Sequence, residues 1–338
     1  MDVTWISGTG LEQHGPGDIG TLLTRTGGFV RVDVPAEEPG AEQLLAGIFG
    51  SHPLAVKDAL ERNRMPKMHA YPDCVFVVLH GPERGDRGHV HYLELDQFIG
   101  HRYLVTVHGP LNPAVTAESA ERETRAIRRR LTEGRLTVDS PFGLSHAAVT
   151  ALTRNQESYL EQQVTGGDVD NPEQFLLDLF RVRHGLLAVR TMAALSGAIY
   201  GRIATLAGLP DAETPLGNDN TDQFLRVRRL ADGEREYLQG VIEFYQTILT
   251  LQATTTAAIQ NEKVQQLTEA SYAQNEEVKK ISSWAAIFFA PSLVAAVYGM
   301  NFQHMLELTW PHGYPFARAL MVLSGLALHQ TFRRHGWW

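Results

Sequence analysis

The sequence of 338 residues contains a single cysteine, Cys74. One cysteine cannot form an intrachain disulfide, which excludes a disulfide-stabilised scaffold and predicts a reducing compartment for most of the chain. Positive charge is also scarce, because 30 Lys and Arg stand against 38 Asp and Glu and leave a net charge of −8. That balance argues against nucleic acid as a partner. The N-terminus lacks a basic segment followed by an apolar one, so we expect no signal peptide.

Charged residues are missing altogether from residues 281–306. The first part of this segment is largely apolar, and about 20 apolar residues in a helix are enough to cross the hydrocarbon core of a bilayer. A second apolar stretch, residues 314–332, contains only Arg318 as a formal charge, and an arginine near a helix end can extend to the headgroups. The predicted membrane hairpin therefore has three parts: a first span at 281–300, an extracytoplasmic loop at 301–315 and a second span at 316–332.

Lysine and arginine flank the predicted hairpin on one side only. Lys279 and Lys280 precede the first span, Arg333 and Arg334 lie in a basic tail at 333–338, and the connecting loop has neither residue type. Positive residues are retained on the cytoplasmic side of a membrane. We therefore expect a multi-pass protein of the cell (inner) membrane in which both termini are cytoplasmic.

The part of the chain before the hairpin changes character along its length. Residues 1–115 alternate β-rich and helical patterns and predict a cytosolic α/β domain, whereas residues 116–215 predict a cytosolic helical region. The strand candidates are residues 28–34, 74–80, 89–95 and 103–108. The helix candidates are residues 41–49, 53–63, 114–132, 145–163 and 172–206. The run Ser7-Gly8-Thr9-Gly10 lacks the lysine of a phosphate-binding loop, and we interpret it as a flexible start.

A long helix is predicted to connect this body to the membrane. No proline occurs between Pro215 and Pro291, and Gly240 is the only interior glycine between Glu234 and Gly299. A helix of roughly 65 residues would be about 100 Å long at about 1.5 Å per residue, which exceeds the thickness of a bilayer core about threefold. We therefore predict a cytosolic stalk helix at 216–280 that continues into the first span.

Uncharged residues recur along this helix at alternating spacings of four and three, which places them on one face. We call this face the polar stripe; it consists of Val264, Thr268, Ser271, Asn275, Val278, Ser282, Ala285, Phe289, Ser292, Ala296 and Gly299. One interpretation is a seam between helices, since membrane helices pack through small residues. The other is a wall in contact with water. Two helices from one chain cannot enclose a pore, so the second interpretation requires a symmetric oligomer.

The helix ends on Tyr298-Gly299-Met300-Asn301, and here the sequence resembles the CorA family of divalent-cation channels, whose signature is Gly-Met-Asn after the first of two C-terminal spans. Further matching segments are Asn275-Glu276, Lys279-Lys280-Ile281, Met305-Leu306-Glu307-Leu308 and Gly313-Tyr314-Pro315. The resemblance implies a funnel-shaped homopentamer in the lipid bilayer. Its function would be passive uptake of hydrated Mg²⁺, with Co²⁺ and Ni²⁺ as further candidates, and without an organic cofactor or catalysis.

The resemblance also implies roles for individual residues. Gly299, Met300 and Asn301 would form the outer mouth, where a ring of asparagine amides selects the ion; neutral oxygens suit a Mg²⁺ ion that gives up its water reluctantly. Phe289 would form a hydrophobic constriction, or alternatively pack against a neighbouring helix. Glu307 would attract cations to the mouth, or be an ordinary loop glutamate. The implied pore-lining residues are Asn275, Val278, Ser282, Ala285, Phe289 and Ser292.

The sequence departs from the family pattern in the stalk and loop. Leu306 stands where a proline is usual, and Val264 stands where relatives often carry a pore-facing aspartate. Gly240 aligns with a stalk aspartate of a regulatory metal site, and Glu243, one turn later, could substitute for it in binding a regulatory Mg²⁺. These departures leave open whether intracellular Mg²⁺ closes the channel. Two alternatives remain open: a Zn²⁺ transporter of the ZntB branch, and a membrane-anchored sensor that binds divalent ions without conducting them.

Overall fold

The computed structural model describes residues 1–8, 10–35, 37–86, 89–110, 112–163, 172–206, 210–301 and 310–337. Two compact units divide the chain, Met1–Tyr245 and Gln246–Trp338. The first unit is an α/β domain in which helices cover both faces of a sheet. The second unit contains helical segments only among its described residues.

Seven strands form the sheet of the first unit, in the spatial order β2-β1-β3-β7-β6-β5-β4. The strands are β1 (Asp2–Ser7), β2 (Gly10–His14), β3 (Gly28–Val34), β4 (Lys67–Ala70), β5 (Cys74–Arg84), β6 (Val90–Gly100) and β7 (Tyr103–His108). The central pair β3 and β7 is parallel, and the other pairs are antiparallel. The parallel pair joins strands that are far apart in the sequence, so helices can cross over between them.

The strand predictions succeed in the centre of the sheet and fail at its edge. Residues 28–34 and 103–108 are strands as predicted, and the candidates at 74–80 and 89–95 belong to the longer strands β5 and β6. The interpretation of Ser7-Gly8-Thr9-Gly10 as a flexible start is wrong for Ser7 and Gly10, which pair at the end of the hairpin between β1 and β2; Thr9 lies outside the described residues. The alternating residues Val3 and Trp5 are buried and fix this hairpin to the core.

The described helices include all the predicted ones with shifted ends, but the helix at Ile19–Thr24 was not predicted and the single candidate at 114–132 forms two helices. They are α1 (Ile19–Thr24), α2 (Ala41–Gln43), α3 (Pro53–Leu60), α4 (Ala117–Ala120), α5 (Arg122–Thr132), α6 (Pro141–Gln163), α7 (Pro172–Ile203), α8 (Thr214–Tyr298) and α9 (Gly313–Arg334). A π-helical turn, Leu44–Ile48, extends α2. Pro53 at the first position of α3 and the His52 ring that accepts the backbone N–H of Leu54 at 3.2 Å define a capped helix start.

The hydrophobic core of the first unit has one cluster on each face of the sheet. Helices α1 to α3 cover one face, where residues such as Trp5, Val32 and Phe98 are buried. The other face packs against α5, α6, α7 and the first part of α8, with Tyr200 and Phe224 fully buried. The helical segment 116–215 therefore belongs to the same compact unit as residues 1–115, because it supplies the cover for one side of the sheet.

A charged cluster lies buried on the face of the sheet that α5 covers. The His108 Nε2 lies 3.1 Å from Asp33 Oδ1, and Arg31 Nη1 donates to Asp2 Oδ2 at 2.6 Å. Burial opposes ionisation of Asp33, yet the hydrogen bond and charge of His108, together with the charge of Arg31, lower the pKa of Asp33. Burial alone would lower the pKa of His108, but its hydrogen bond and attraction to Asp33 raise it. The pair therefore favours the charged forms.

The second unit contains the C-terminal part of α8, together with α9. A Cβ atom added to Gly325 would lie 3.6 Å from Pro291 Cγ, so α9 passes close to α8 at this point. Gly313 and Ala317, four residues apart on α9, are buried, and small residues at this spacing allow close helix approach. Among the described helices, α8 alone is long and apolar enough to cross a membrane by length and composition. The second predicted span, 316–332, lies within α9.

Candidate ion-conducting face

All eleven residues of the polar stripe are exposed in the single chain. The exposure includes its largest members, since Val264 is 60% exposed and Phe289 is 67% exposed. These residues share one face of α8 by their helical spacing. The stripe is therefore a continuous surface that the described part of its own chain leaves uncovered.

A different face of α8 is turned toward the rest of the second unit. Ser283 on this face is 1% exposed, and Pro291 lies at the close approach to Gly325 of α9. The less exposed residues of the segment follow the same face: Ala286, Ile287, Ala290, Val294 and Tyr298. Because α9 covers this face and not the polar stripe, the stripe is available for contacts with water or with other chains.

Two hydroxyl groups of the stripe donate hydrogen bonds within the helix. Thr268 Oγ1 donates to the Val264 carbonyl at 2.7 Å, and Ser292 Oγ donates to the Phe288 carbonyl at 2.8 Å. Each hydroxyl oxygen then keeps lone pairs that can accept hydrogen bonds from water. The water molecules around a hydrated cation direct their protons outward, so such a surface is chemically suited to contact them.

The polar stripe ends where α8 ends. The Gly299 N–H donates to the Ala295 carbonyl at 2.9 Å, and the Met300 N–H donates to the Val297 carbonyl at 3.3 Å. Asn301 follows this last turn and is exposed. A Cβ atom at Gly299 would lie 3.1 Å from the Ala295 carbonyl oxygen, which is a tight contact that glycine avoids. The end of the helix therefore presents the Asn301 carboxamide outside the helical hydrogen-bond pattern.

Phe289 is the one bulky aromatic residue of the stripe. Its neighbour Phe288 stacks on Trp284 with ring centroids 5.8 Å apart. The ring contacts within the described segments do not include Phe289. The structure therefore leaves the Phe289 ring accessible to partners outside the described chain, consistent with either of its two interpretations.

The remaining predicted site residues are separate from the stripe or outside the described residues. Glu243 is exposed on α8, where it accepts a hydrogen bond from Gln239 Nε2 at 2.8 Å. Across the described residues, no group of three or more His, Cys, Asp or Glu could hold a metal ion, and the role of Glu243 in binding a regulatory Mg²⁺ stays a prediction. Glu307 lies outside the described residues.

The basic flanks are at the end of the second unit that is opposite to Asn301. Lys279 forms an ion pair with Glu276 at 2.9 Å, and the hydrogen bond and charge of Lys279 lower the pKa of Glu276. Arg333 and Arg334 occupy the last turn of α9, where the helix dipole favours positive charge. Sequence reasoning missed the close approach at Gly325, although glycine and alanine on α9 could have indicated it.

A family model described as CorA-like Mg²⁺ transporter protein matches residues 27–334. The chain belongs to this family. One relative is the magnesium transport protein CorA of Sodalis glossinidius, which is 36% identical over 193 residues. That alignment covers 49% of this chain and 60% of the relative, so the chain matches less than two thirds of the length of that CorA.

Two solved structures resemble the whole chain or its first unit. The complete CorA magnesium transporter from Methanocaldococcus jannaschii aligns with a TM-score of 0.56 and 14% identity, over 100% of this chain and 99% of its own. The ZntB cytoplasmic domain from Vibrio parahaemolyticus aligns with a TM-score of 0.56 and 13% identity, over 73% and 98% of the two chains. At these identities the likeness is one of fold: an α/β domain followed, in the complete CorA, by long C-terminal helices.

Proposed function

We propose that this protein is a channel for passive uptake of hydrated Mg²⁺, formed by five copies whose polar stripes enclose the pore. The observation that carries the proposal is the exposed, uncharged stripe on α8, which α9 of the same chain leaves uncovered. Family membership supports the divalent cation as cargo. Both termini lie in the cytoplasm, as the positive flanks of the hairpin require.

Asn301 performs the selective step in this proposal. One carboxamide from each copy forms a ring at the outer mouth, next to Gly299 and Met300, and its oxygens accept hydrogen bonds from the hydration shell of the ion. Mg²⁺ prefers octahedral oxygen ligands and loses water reluctantly. Neutral amides hold such an ion less tightly than carboxylates would, so the ion can leave again and conduction is fast.

The inner part of the stripe serves as the conduit. Hydroxyl oxygens such as those of Thr268 and Ser292 accept hydrogen bonds from water, because their protons are used within the helix. Phe289 narrows the conduit, and a ring of five apolar side chains excludes water when the pore closes. Because the inward force on a cation is the membrane potential, about 2.3 kcal/mol per charge per 100 mV, no chemical energy source is needed.

The test is growth and Mg²⁺ uptake in a bacterial strain that lacks its own Mg²⁺ transporters. The parent chain restores growth at low Mg²⁺, and Asn301→Ala abolishes the rescue. Hydrogen bonds to charged groups are worth about 1.5–3 kcal/mol, so initial uptake falls by roughly tenfold or more. The matched control is Gln265→Ala, which removes an exposed amide of α8 that lies off the stripe and leaves uptake unchanged.

Three results would contradict the proposal in different ways. Equal rescue by the parent and by Asn301→Ala would remove the asparagine ring from the mechanism. Uptake of Zn²⁺ in place of Mg²⁺ would favour the transporter type of the ZntB branch, whose cytoplasmic domain shares this fold. A well-expressed parent that binds Mg²⁺ without any uptake would favour the sensor. Native mass spectrometry of the purified protein is expected to give five copies, and a monomer would exclude a pore.

A further inference from the structure

Two carboxyl groups lie side by side on the face of the sheet that α1 to α3 cover. Glu94 and Asp96 are two residues apart on β6, so both side chains are on the same face. Asp96 is fully buried, and its neighbours in the register of the sheet are Val78 of β5 and Val107 of β7. Glu94 is 9% exposed. The two carboxyl groups are in hydrogen-bonding contact with each other.

The two carboxyl groups differ in the donors that reach them. The backbone N–H of Asn63 donates to Glu94 Oε2 at 2.8 Å, and the side-chain amide of Asn63 donates to Glu94 Oε1. In the part of the chain that the structure describes, no N–H or O–H donor reaches either oxygen of Asp96. An ionised carboxylate without a donor is very costly in an apolar interior, so such a group takes up a proton. Once protonated, Asp96 is itself a donor and can bond to Glu94.

The charged groups that face this pair leave it with a surplus of negative charge. Lys67 of β4 attracts Asp96, but its Nζ is already paired with Asp58 of α3 at 2.7 Å, and Asp58 repels Asp96. His80 of β5 is fully buried, and its Nε2 donates to the Asn63 carbonyl at 3.0 Å. Burial lowers the pKa of His80, so the ring adds no positive charge. One bound proton would remove the surplus.

A small cavity connects this pair with its more exposed surroundings. Its volume is about 20 Å³, and Glu94, Arg62, Tyr92 and His108 are among the residues that line it. Arg62 is exposed, so water screens its charge. Burial raises the pKa of Tyr92, and the His108 ring is paired with Asp33. The cavity is large enough for one water molecule, through which Glu94 can exchange a proton with the solvent.

We propose that Glu94 and Asp96 hold one proton between them, and that this proton fastens the end of α3 to the sheet. Asn63 follows α3, and its side-chain amide also donates to the Asp58 carbonyl at 2.7 Å. Asn63 and its bonds to Asp58, His80 and Glu94 therefore join α3, β5 and β6; we call this arrangement the Asn63 clasp. With the proton bound, the pair carries one negative charge, which the two Asn63 donors stabilise. Loss of the proton brings two negative charges together and opens the clasp.

The direction of the pH dependence follows from the position of Asp96. Burial and the neighbouring charge of Glu94 raise the pKa of Asp96 well above its ordinary value. Above about pH 3.9, the ordinary pKa of aspartate, the folded state therefore holds one more proton than the unfolded chain. The stabilisation from this proton is fully present below that pH and is lost as the pH rises to the folded-state pKa.

The test compares the parent with Asp96→Asn, which has nearly the same shape and cannot bind the proton. Denaturant unfolding of the full chain in detergent is measured from pH 5 to pH 8. The unfolding constant of the parent, divided by that of Asp96→Asn, is expected to increase up to tenfold per pH unit, since one additional bound proton has this effect. The matched control Asp222→Asn removes an exposed carboxylate of α8, and the corresponding ratio is expected to be independent of pH.

Hydrogen exchange measures the clasp itself, and in the parent alone it carries the test if Asp96→Asn does not fold. The protection factor of residues 61–66 is expected to decrease as the pH rises from 6 to 9, because the Asn63 N–H is bonded to Glu94. Residues 147–153 of α6 are the control region, where a smaller decrease is expected. In Asp96→Asn, the protection factor of residues 61–66 is expected to be independent of pH.

Three results would overturn the inference. A ratio of unfolding constants that stays constant from pH 5 to pH 8 would mean that Asp96 is ionised in the folded protein. Equal loss of protection at residues 61–66 and 147–153 would mean that the proton does not act on the clasp. Protection that Mg²⁺ restores at pH 9 in the parent, but not in Asp96→Asn, would show a bound cation in place of the proton. None of these measurements depends on uptake through a pore, so failure of this inference and failure of the channel proposal are distinguishable.

Discussion

The two parts of α8 have opposite relations to their surroundings, although they form one helix of 85 residues. In the first part, Phe224 and Val227 are fully buried in the core of the α/β unit. In the second part, Leu267 is 71% exposed and Phe289 is 67% exposed. Burial of one such side chain contributes about 1.5–3 kcal/mol. The first part obtains this contribution within its own chain, whereas the second must obtain it from lipid or from other copies.

The apolar content of a helix therefore does not by itself show that the helix belongs to the hydrophobic core. A helix can be apolar because it is buried in the core of a domain or because it contacts the lipid of a membrane. The groups that surround the helix in the structure distinguish these two cases. The first part of α8 is packed into the core of the α/β unit, and the second part carries the polar stripe that we propose to line the pore.

The largest expected effect is the loss of an aromatic ring from the buried part of α8. Phe224 stacks on Tyr200 with centroids 5.9 Å apart, and Phe224→Ala is expected to destabilise the α/β unit by about 3–5 kcal/mol. Phe289→Ala, the matched change in the exposed part, is expected to leave this unfolding transition unchanged and to raise Mg²⁺ leak. Denaturant unfolding of the full chain in detergent measures the stability of both variants, and Mg²⁺ uptake measures the leak. Equal destabilisation by the two variants would contradict the assignment of Phe224 to the core and of Phe289 to the exposed part of α8.

A smaller effect is expected in the buried charged cluster, and it depends on pH. His108→Gln removes one of the two cationic partners of Asp33 and leaves Arg31 Nη2 at 3.3 Å from Asp33 Oδ2, so the loss of the hydrogen bond is expected to cost about 1.5–3 kcal/mol near pH 6. The raised pKa of His108 means that protonation stabilises the folded state below about pH 6.5, the ordinary pKa of histidine. That contribution disappears as the pH rises through the folded-state pKa.

The measurement for this variant is the free energy of unfolding across the pH range. The difference between the parent and His108→Gln is expected to shrink as the pH increases from 6 toward 9. The stability is also expected to fall at acid pH. The lowered pKa of Asp33 stabilises the folded state at pH values above about 3.9, the ordinary pKa of aspartate, and this contribution is lost at lower pH. A constant difference at all pH values would mean that His108 is not charged in the folded protein.

The smallest expected effect concerns the contact between α8 and α9. Gly325→Ala adds a Cβ at the ordinary contact distance of 3.6 Å from Pro291 and is expected to be tolerated. Gly325→Leu overfills this space and is expected to cost about 1–3 kcal/mol. Cross-linking between cysteines introduced at Ile287 and Leu328, which lie about one turn from Pro291 and Gly325 on the partly buried faces of their helices, measures the separation of the helices in both backgrounds. Equal cross-linking in the two variants would show that the helices do not depend on this contact.

Local sequence patterns predicted the central strands and the long helix. The strands at 28–34 and 103–108 have apolar β-branched residues, and the long helix follows from the absence of proline, so both could be read from neighbouring residues. The hairpin of β1 and β2 was missed because β2 is a short polar edge strand, with sequence GLEQH, that is held by its pairing to β1. Its backbone is held by pairing across the hairpin, which the residue pattern within β2 alone does not report.

The candidate site also has features that the sequence pattern predicts and features that it does not predict. The polar stripe, Asn301 and the basic flanks are properties of residue type and helical spacing, so the residue pattern is enough to predict which residues share a face of α8. The face of α8 that α9 covers is the one on which Pro291 meets Gly325. That α9 leaves the stripe uncovered is known only from the packing of the two helices, because periodicity defines a helix face without specifying what packs against it.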